Sequence, residues 1–385
     1  MKYALAFAAA LTMATAGDLP GQHFFVDPAK LPKPFATPPA DNGGNMIARP
    51  PGAVPLVPPG FVAEPYVTGR ANPRFMTLVP EGVLVAESRA DKITLIRNGR
   101  PETYLTGFHY PHGLAVRNGA LYVGDLDAVW RVDLKTKART RVTKDSFGAK
   151  TYHITRDIAF DREGALYIAI GSANNVAQEQ PPQATIQKVL PDGHMQTFAS
   201  GLRNPVGIAF RPGTDDLYIT ADERDGYGDG LPPDFFTGVK AGDFFGWPYA
   251  YAGPHPDPQF GAKRPDLVGK TRTPDVLFPA HSTALGLIFY DGHQFPPDYR
   301  GNAFVALHGS WDSAEPTGFK VVRIRFQNGR PEQGYSNFAT GFWAGSKHPP
   351  QVWGRPAGLL VDRDGSLLIA DDQGRTIWRV RYTGP

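Results

Sequence analysis

Gly358-Leu359-Leu360-Val361-Asp362-Arg363-Asp364-Gly365-Ser366-Leu367-Leu368-Ile369-Ala370-Asp371 reads as a short apolar strand, a polar turn, and a second strand ending in an acid. Branched aliphatic runs suit a pleated, half-buried surface, and Asp with Gly supplies the turn between them. The phrase recurs five times upstream. Residues 75–79 are followed by 82–86, 113–116 by 120–125, 157–160 by 164–170, 207–210 by 216–222, and 286–290 by 301–307. Taking Phe75, Gly113, Asp157, Gly207, Gly286 and Gly358 as equivalent points, the copies stand 38 to 79 residues apart. That spacing suits four-stranded units carrying loop insertions. A lone four-stranded sheet leaves both faces wet, whereas radial stacking buries them and keeps the edges short. The expected fold is therefore all-β, a six-bladed β-propeller with four-stranded blades and long loop insertions. Residues 377–380 read as a further strand of the last blade, and 61–67 are placed to complete a blade and close the ring. A two-sheet sandwich would leave the repetition unexplained.

Composition agrees. Among 385 residues, 43 Gly and 38 Pro against 5 Met leave few uninterrupted helical patterns. Forty basic and 37 acidic residues give a formal charge of +3, so no nucleic-acid partner is implied by charge. The absence of cysteine excludes disulfides, thiolate zinc sites, covalently attached c-type haem and cysteine nucleophiles. Lys2, the apolar run 3–13 and Ala14-Thr15-Ala16 together read as a signal peptide over residues 1–16, which predicts export to a bacterial periplasm. That run is too short to span a bilayer, and no later stretch reaches 18 apolar residues, so no membrane span is expected. Residues 17–60 carry 11 prolines and read as an extended arm. The arm is either a spacer or a segment docked on the body through Phe24, Phe25 and Val26. The propeller then occupies 61–385.

In a propeller the innermost strands line a central channel, and the residues leading into them ring one mouth. Reading upstream of each equivalent point gives Asn72 and Arg74, His109 and His112, His153 and Arg156, Arg203 and Asn204, His281 and Ser282, and Arg355. Arg and His dominate, and carboxylates are almost absent from these positions. Cations converging on a narrow mouth repel one another unless an anion offsets them, so the expected guest is a polyanion. The segment 222–229 crowds Asp222, Glu223, Arg224, Asp225 and Asp229 around Gly226 and Gly228. Oxygen ligands on a tight turn suit a hard cation such as Ca²⁺, although the spacing is not that of an EF-hand and a solvated turn reads the same way. The aromatic run 244–249 follows as packing or as a platform for a flat ligand.

Three pieces carry a family resemblance: Gly201-Leu202-Arg203-Asn204-Pro205; Glu223-Arg224-Asp225 leading into Phe245-Gly246-Trp247-Pro248-Tyr249; and His308-Gly309-Ser310-Trp311 ahead of Gly318-Phe319-Lys320-Val321-Val322-Arg323. With them the chain from residue 60 onward resembles the soluble quinoprotein glucose dehydrogenases, and more closely the glucose/sorbosone dehydrogenase family. The resemblance implies bound pyrroloquinoline quinone (PQQ), a calcium ion, and periplasmic oxidation of a sugar hydroxyl or aldehyde. It places the general base on His153, and the quinone-polarising arginine and its neighbour on Arg203 and Asn204. A quinone contact falls on His112, where relatives commonly have glutamine, and another on Arg355. Calcium falls at the backbone of Arg224 and Asp225, with the Asp229 side chain added from the local sequence. The family lysine that meets a quinone carboxylate has no clean counterpart, and Lys320 or His308 could fill it. The implied chemistry has neutral His153 take the hydroxyl proton while hydride passes to C5 of the quinone, with Arg203 and Ca²⁺ stabilising the oxyanion.

Two other functions fit a propeller. A calcium-dependent sugar lactonase would need several acidic or amide side chains gripping metal in the channel, and a non-catalytic propeller could present its face to a protein or polysaccharide. For the dehydrogenase reading, the partners are a small sugar and a separate electron acceptor, a soluble cytochrome or a quinone. Sugar stacking on Trp247, Trp311, Trp343 or Trp353 competes with core packing of the same side chains.

Overall fold

The structure is a computed structural model that describes residues 18–148 and 151–384. The described residues form six four-stranded antiparallel sheets arranged as blades. Blade 1 comprises Pro73–Val79, Gly82–Glu87, Lys92–Arg97 and Arg100–Thr106, and blade 2 Leu114–Arg117, Ala120–Gly124, Val129–Asp133 and Arg139–Arg141. Blade 3 comprises Ile158–Phe160, Leu166–Ile170, Thr185–Val189 and Met195–Ser200, and blade 4 Asn204–Phe210, Leu217–Asp222, Pro233–Val239 and Val276–Ala280. Blade 5 is Ala284–Phe289, Ala303–Leu307, Lys320–Ile324 and Tyr335–Ala339. Blade 6 takes Pro356–Val361, Leu367–Asp371 and Thr376–Tyr382 from the C-terminal end and Phe61–Thr68 from the start of the body. Phe61 pairs with Tyr382 and Ala63 with Val380, so the ring is closed by strands from both ends of the propeller.

Apolar alternation along the strands produces six inter-blade cores. Leu84, Ile93 and Leu95 of blade 1 meet Leu121, Val123 and Val132 of blade 2. Tyr218 and Phe236 of blade 4 meet Leu287, Val305 and Val322 of blade 5, and Phe304 and Phe338 of blade 5 meet Leu359, Leu367 and Trp378 of blade 6. Each face is dry only because its neighbour is present, which is why the repeats hold together as one body.

The six equivalent points of the repeat meet at the hub, each against the next blade. A Cβ on Gly113 would lie 2.7 Å from Asp157 Cα, on Gly207 2.4 Å from Leu285 O, on Gly286 2.4 Å from Ala357 O, and on Gly358 2.0 Å from Arg74 O. At the two points without glycine the side chain itself makes the junction: the Phe75 ring lies 4.3 Å from the His112 ring, and Asp157 accepts a hydrogen bond from Ile208 N at 3.1 Å. Glycine recurs because the innermost strands approach too closely for a side chain.

The arm is docked rather than free. His23–Phe24 adds a fifth strand to blade 5, Asn45–Met46 runs parallel to Gln351–Val352, and Leu56 bridges to Thr340. Phe24 stacks on Tyr335 and Val26 packs against the core between blades 3 and 4, whereas Phe25 is 49% exposed. Residues 1–16 lie outside the described residues.

Replacing Gly358 by Ala should lower unfolding free energy by about 1–3 kcal/mol, since backbone and not a flexible side chain stands in the way. Gly269→Ala, whose nearest neighbour would be 3.7 Å away, should stay within about 0.5 kcal/mol of wild type; equal costs in denaturant titrations would refute the hub account. Asp157 is buried, and burial pushes its carboxyl up to about 8. It therefore stabilises the fold fully below the ordinary carboxylate range and loses that contribution as pH rises toward 8. The stability deficit of Asp157→Asn should shrink between pH 5 and 8, by at most about 1.4 kcal/mol per pH unit; parallel wild-type and variant curves would contradict this.

Candidate functional site

Antiparallel register fixes what stands at the mouth. The start of an innermost strand lies opposite the end of the second strand, so Pro73 faces Glu87, Asn204 faces Asp222 and Pro356 faces Asp371. The acid that closes the repeated phrase thus returns beside the base that opens it. The expectation that carboxylates are almost absent is corrected accordingly: Asp222, Glu223, Asp225, Asp234, Asp312, Asp371 and Asp372 all come to this end of the channel, and several bases are already paired.

The mouth is divided by charge. On one side Arg74, His112, Arg156 and His153 follow one another around the channel, each within electrostatic reach of the next. His112 and Arg156 are fully buried. Among the described residues neither ring nitrogen of His112 has a hydrogen-bond partner, nor do Nε and Nη2 of Arg156, Nη1 of Arg74 or Oδ1 of Asn204. Burial, reinforced by Arg74 and Arg156, holds His112 well below its ordinary value and therefore neutral. Burial brings Arg156 down to about 10, so it stays charged.

His153 has the arrangement of a base. Its Nδ1 lies 3.1 Å from Ser172 O, which can only accept, and 2.9 Å from Ser172 Oγ, whose own proton goes to Asn174 O. Nδ1 therefore carries the hydrogen and Nε2 keeps its lone pair. Burial and the Arg203 and Arg156 charges hold the ring well below its usual pKa. A Cβ on Gly171 would lie 2.5 Å from His153 Cβ and 2.7 Å from Asn204 Oδ1, so this glycine seats both side chains.

Arg203 stands at the border between the halves. It bridges Asp222 at 3.2 Å and Asp225 at 2.8 Å, and it donates to the carbonyl and side-chain oxygens of Asn175. Asn175 also accepts from Asp225 N and, through its carbonyl, from Trp247 Nε1. Sequence reasoning passed over this asparagine, which lies in a loop with no motif of its own. Beyond Arg203, ligand-capable atoms of Asp225, His281 and Asp312 lie within 4.8 Å of one another. Burial raises Asp225 to about 7 against the pull of Arg203, with Asp222 and Asp312 adding to the rise. Burial and Asp222 together raise Glu223 to about 8 and Asp234 well above the usual range, although Arg203 draws Glu223 back. His281 contacts Gly228 O through Nε2 and Asp312 through Nδ1, both at 2.9 Å. Burial opposes its charge, yet Asp312 and the Gly228 carbonyl bring it up to about 9. Both ring nitrogens are thus donors, which leaves the two carboxylates as the ligand-capable groups of this cluster.

Other expected site residues are placed differently. His308 donates to Asp372 at 2.8 Å, and burial together with Arg355 lowers it to about 4. Asp372 also pairs with Arg74 at 3.2 Å and accepts from Asn72. Arg355 donates to the carbonyls of His308 and Gly309, which ties blade 6 to the blade 5 loop instead of leaving a free cation. Lys320 pairs with Asp18 of the arm at 2.7 Å and lies over the Phe24 ring, so it is not delivered to the cluster. The Arg224 side chain bonds Tyr227 and Asp257, which leaves the expectation for its backbone carbonyl as it stood. The Asp229 carboxylate caps Ala314 N at 2.8 Å and stands apart from the Asp225 group. Asp312 supplies the acid in its place, within the segment after His308-Gly309-Ser310-Trp311. Of the tryptophans, Trp247 and Trp353 are core residues and Trp311 is 47% exposed beside Asp312.

Residues 125–310 match the family model described as Glucose / Sorbosone dehydrogenase, and 265–383 match one described as TrAA12-like. The resemblance read from the sequence is thereby borne out. An uncharacterized protein of Borreliella burgdorferi is 28% identical over 350 residues, covering 85% of this chain and 90% of its own length. A pyrroloquinoline quinone-dependent pyranose dehydrogenase of Coprinopsis cinerea is 25% identical over 412 residues, again covering 85% of this chain; the match spans 54% of that protein. Among solved structures, a calcium structure of a Trichoderma reesei carbohydrate-active enzyme of family AA12 superposes with a TM-score of 0.71 at 19% identity, covering 88% of this chain and 99% of the other. The holo PQQ domain of the Coprinopsis cinerea pyranose dehydrogenase gives 0.70 at 21%, covering 88% and 100%. The structural likeness establishes the propeller fold.

Asp372 accepts from three buried groups, so Asp372→Ala should cost about 3 kcal/mol or more by stranding Arg74. A melting curve close to wild type would mean that Arg74 finds another partner.

Proposed function

We propose, from a propeller whose central segment matches the glucose/sorbosone dehydrogenase family, that this chain is a PQQ-dependent sugar dehydrogenase assisted by Ca²⁺. The observation that carries the reading is the segregation of charge at the mouth. Buried basic groups with nitrogens left unsatisfied, both of His112, Nε and Nη2 of Arg156 and Nη1 of Arg74, face carboxylates whose ionisation is suppressed by burial and mutual repulsion. An anion chelating a divalent cation would satisfy both halves together. PQQ, a planar tricarboxylate, fits the first half: Arg74, Arg156 and His112 would meet its carboxylates, with Arg203 and Asn204 at its polar rim. Asp225 and Asp312 fit a hard cation by donor type, and His281 holds Asp312 without being a ligand. The bound quinone would supply the two-electron acceptor, and Ca²⁺ the Lewis acid.

The chain's own residues then have defined work. His153 Nε2 accepts the proton of a sugar hydroxyl, and Ser172 fixes the tautomer that leaves this nitrogen free. Arg203, kept charged by Asp222 and Asp225 against its burial, holds positive charge where an oxyanion would develop. The substrate class is a small sugar with an oxidisable hydroxyl or aldehyde. We read residues 1–16 as an export signal to the periplasm. The electrons leave to a separate carrier, a soluble cytochrome or a quinone, because a chain without cysteine holds no covalent c-type haem.

One observation favours a second reading. The acids at Asp222, Asp225 and Asp312 meet the requirement stated for a calcium-dependent lactonase, which the sequence alone placed out of reach. Purified protein given PQQ, CaCl₂, an aldose and an artificial dye separates the two: dye reduction that requires PQQ supports the dehydrogenase, and lactone hydrolysis with Ca²⁺ alone supports the other. His153→Ala should keep the bound-quinone spectrum and lose about 10²- to 10⁴-fold in turnover. Undiminished dye reduction by that variant would remove His153 from the role of base.

A further inference from the structure

We infer that the docked arm is a strap that sets the geometry of the Asp225, His281 and Asp312 group, with Thr37 and Asn42 as its positioning residues. The group is assembled from three segments: Asp225 from the loop 223–232 after the second strand of blade 4, His281 from the connector between blades 4 and 5, and Asp312 from the loop 308–319 after the second strand of blade 5; the two loops share no strand pairing. The arm crosses both. On the first, Phe35 N donates to Tyr227 O at 2.9 Å, and Thr37 Oγ1 accepts from Asp229 N at 2.8 Å. A Cβ on Gly228 would lie 2.4 Å from Thr37 O, so the arm rests directly on the peptide whose carbonyl takes His281 Nε2.

On the second loop, Asn42 N donates to Trp311 O at 2.7 Å. The Asn42 amide reaches Ser313 O at 3.1 Å, Ala314 O at 3.2 Å and Lys347 O at 2.9 Å. One side chain thereby gathers the carbonyls that follow Asp312 and a carbonyl from the approach to blade 6. The two loops are also latched to each other by Asp229 Oδ1 and Ala314 N. Thr37 presses Gly228 toward His281, His281 holds Asp312, and Asn42 fixes the backbone on either side of Asp312. A short stretch of the arm thus fixes the separation of the two carboxylates. The claim rests on the proposed function only for what those carboxylates bind.

Hydrogen exchange on the full-length protein tests the strap directly. In Thr37→Val/Asn42→Ala, the amides of Asp229 and Ala314 should exchange at least about tenfold faster, while Ile208 and Val305 in the innermost and second strands keep their protection. Calcium affinity, read by calorimetry with CaCl₂ alone, should fall about tenfold with the melting temperature of the body little changed. Asn42→Asp, which exchanges the donating amide for an acceptor and leaves the core untouched, should reproduce the change at Ala314 if the double variant fails to fold. Unchanged exchange at both amides in the folded variants overturns the strap, whatever the protein binds. Faster exchange in a protein whose wild type takes up no calcium leaves the strap standing and overturns the calcium reading instead.

Discussion

Everything in this molecule depends on how closely six innermost strands can approach one another. A four-stranded blade has two apolar faces and no means of hiding either alone, and the ring closes only if the hub is narrow. Glycine at four of the equivalent points removes the side chain that would hold adjacent backbones apart, while Phe75 and Asp157 turn the other two junctions into a ring contact and a hydrogen bond. The six inter-blade cores then form around a fixed centre. The repeated phrase in the sequence is therefore a record of packing at the axis, and it is older in the logic of the fold than any residue at the mouth.

The same narrow hub creates the electrostatic problem at its open end. Side chains at the starts of the innermost strands and at the ends of the second strands are forced into a small, poorly hydrated space. At an effective dielectric near 20, two carboxylates within 4.8 Å repel by about 3 kcal/mol or more. Burial adds to that, and the protein answers in two ways. Where opposite charges can meet, as at Arg74 with Asp372 or Arg203 with Asp222 and Asp225, they pair. Where they cannot, the group gives up its charge, as His112 does, or holds its proton toward neutral pH, as Glu223 does.

The architecture was legible in the sequence because strand alternation is a local signal repeated six times and a hub glycine marks four of the six copies. The bases of the mouth were legible too, since Arg203 and His153 each precede an innermost strand, and Asn204 opens one. The acids were misjudged for a specific reason: Asp222 and Asp371 were read as strand ends, and only antiparallel register shows that a strand end lies opposite a strand start. Lys320 has the right charge and the right neighbourhood in sequence, but Asp18 captures it, and nothing in a linear reading joins residues 302 positions apart. Asn175 and Asp312 sit in loops whose path is set by contacts and not by pattern. Asp229 was read as a ligand because it shares a turn with Asp225, whereas the acid that shares the space is Asp312 of the next blade.

These corrections change what the mouth can be asked to do. A ring of cations alone would call for any polyanion, and its selectivity would be poor. A mouth with unsatisfied guanidinium and imidazole nitrogens on one arc and proton-holding carboxylates on the other would discriminate more sharply, because an anion by itself leaves the carboxylates unsatisfied and a cation by itself leaves those nitrogens unsatisfied. An anion and a cation bound together would stabilise each other's sites, so each should be held more firmly when the other is present. That coupling would require the two arcs to keep their spacing. Asn175 braces Arg203 on the blade 4 side, and the interlocked loops of blades 4 and 5 brace the other, so the spacing is held in part by residues such as Asn175, Thr37 and Asn42 that need never touch a guest.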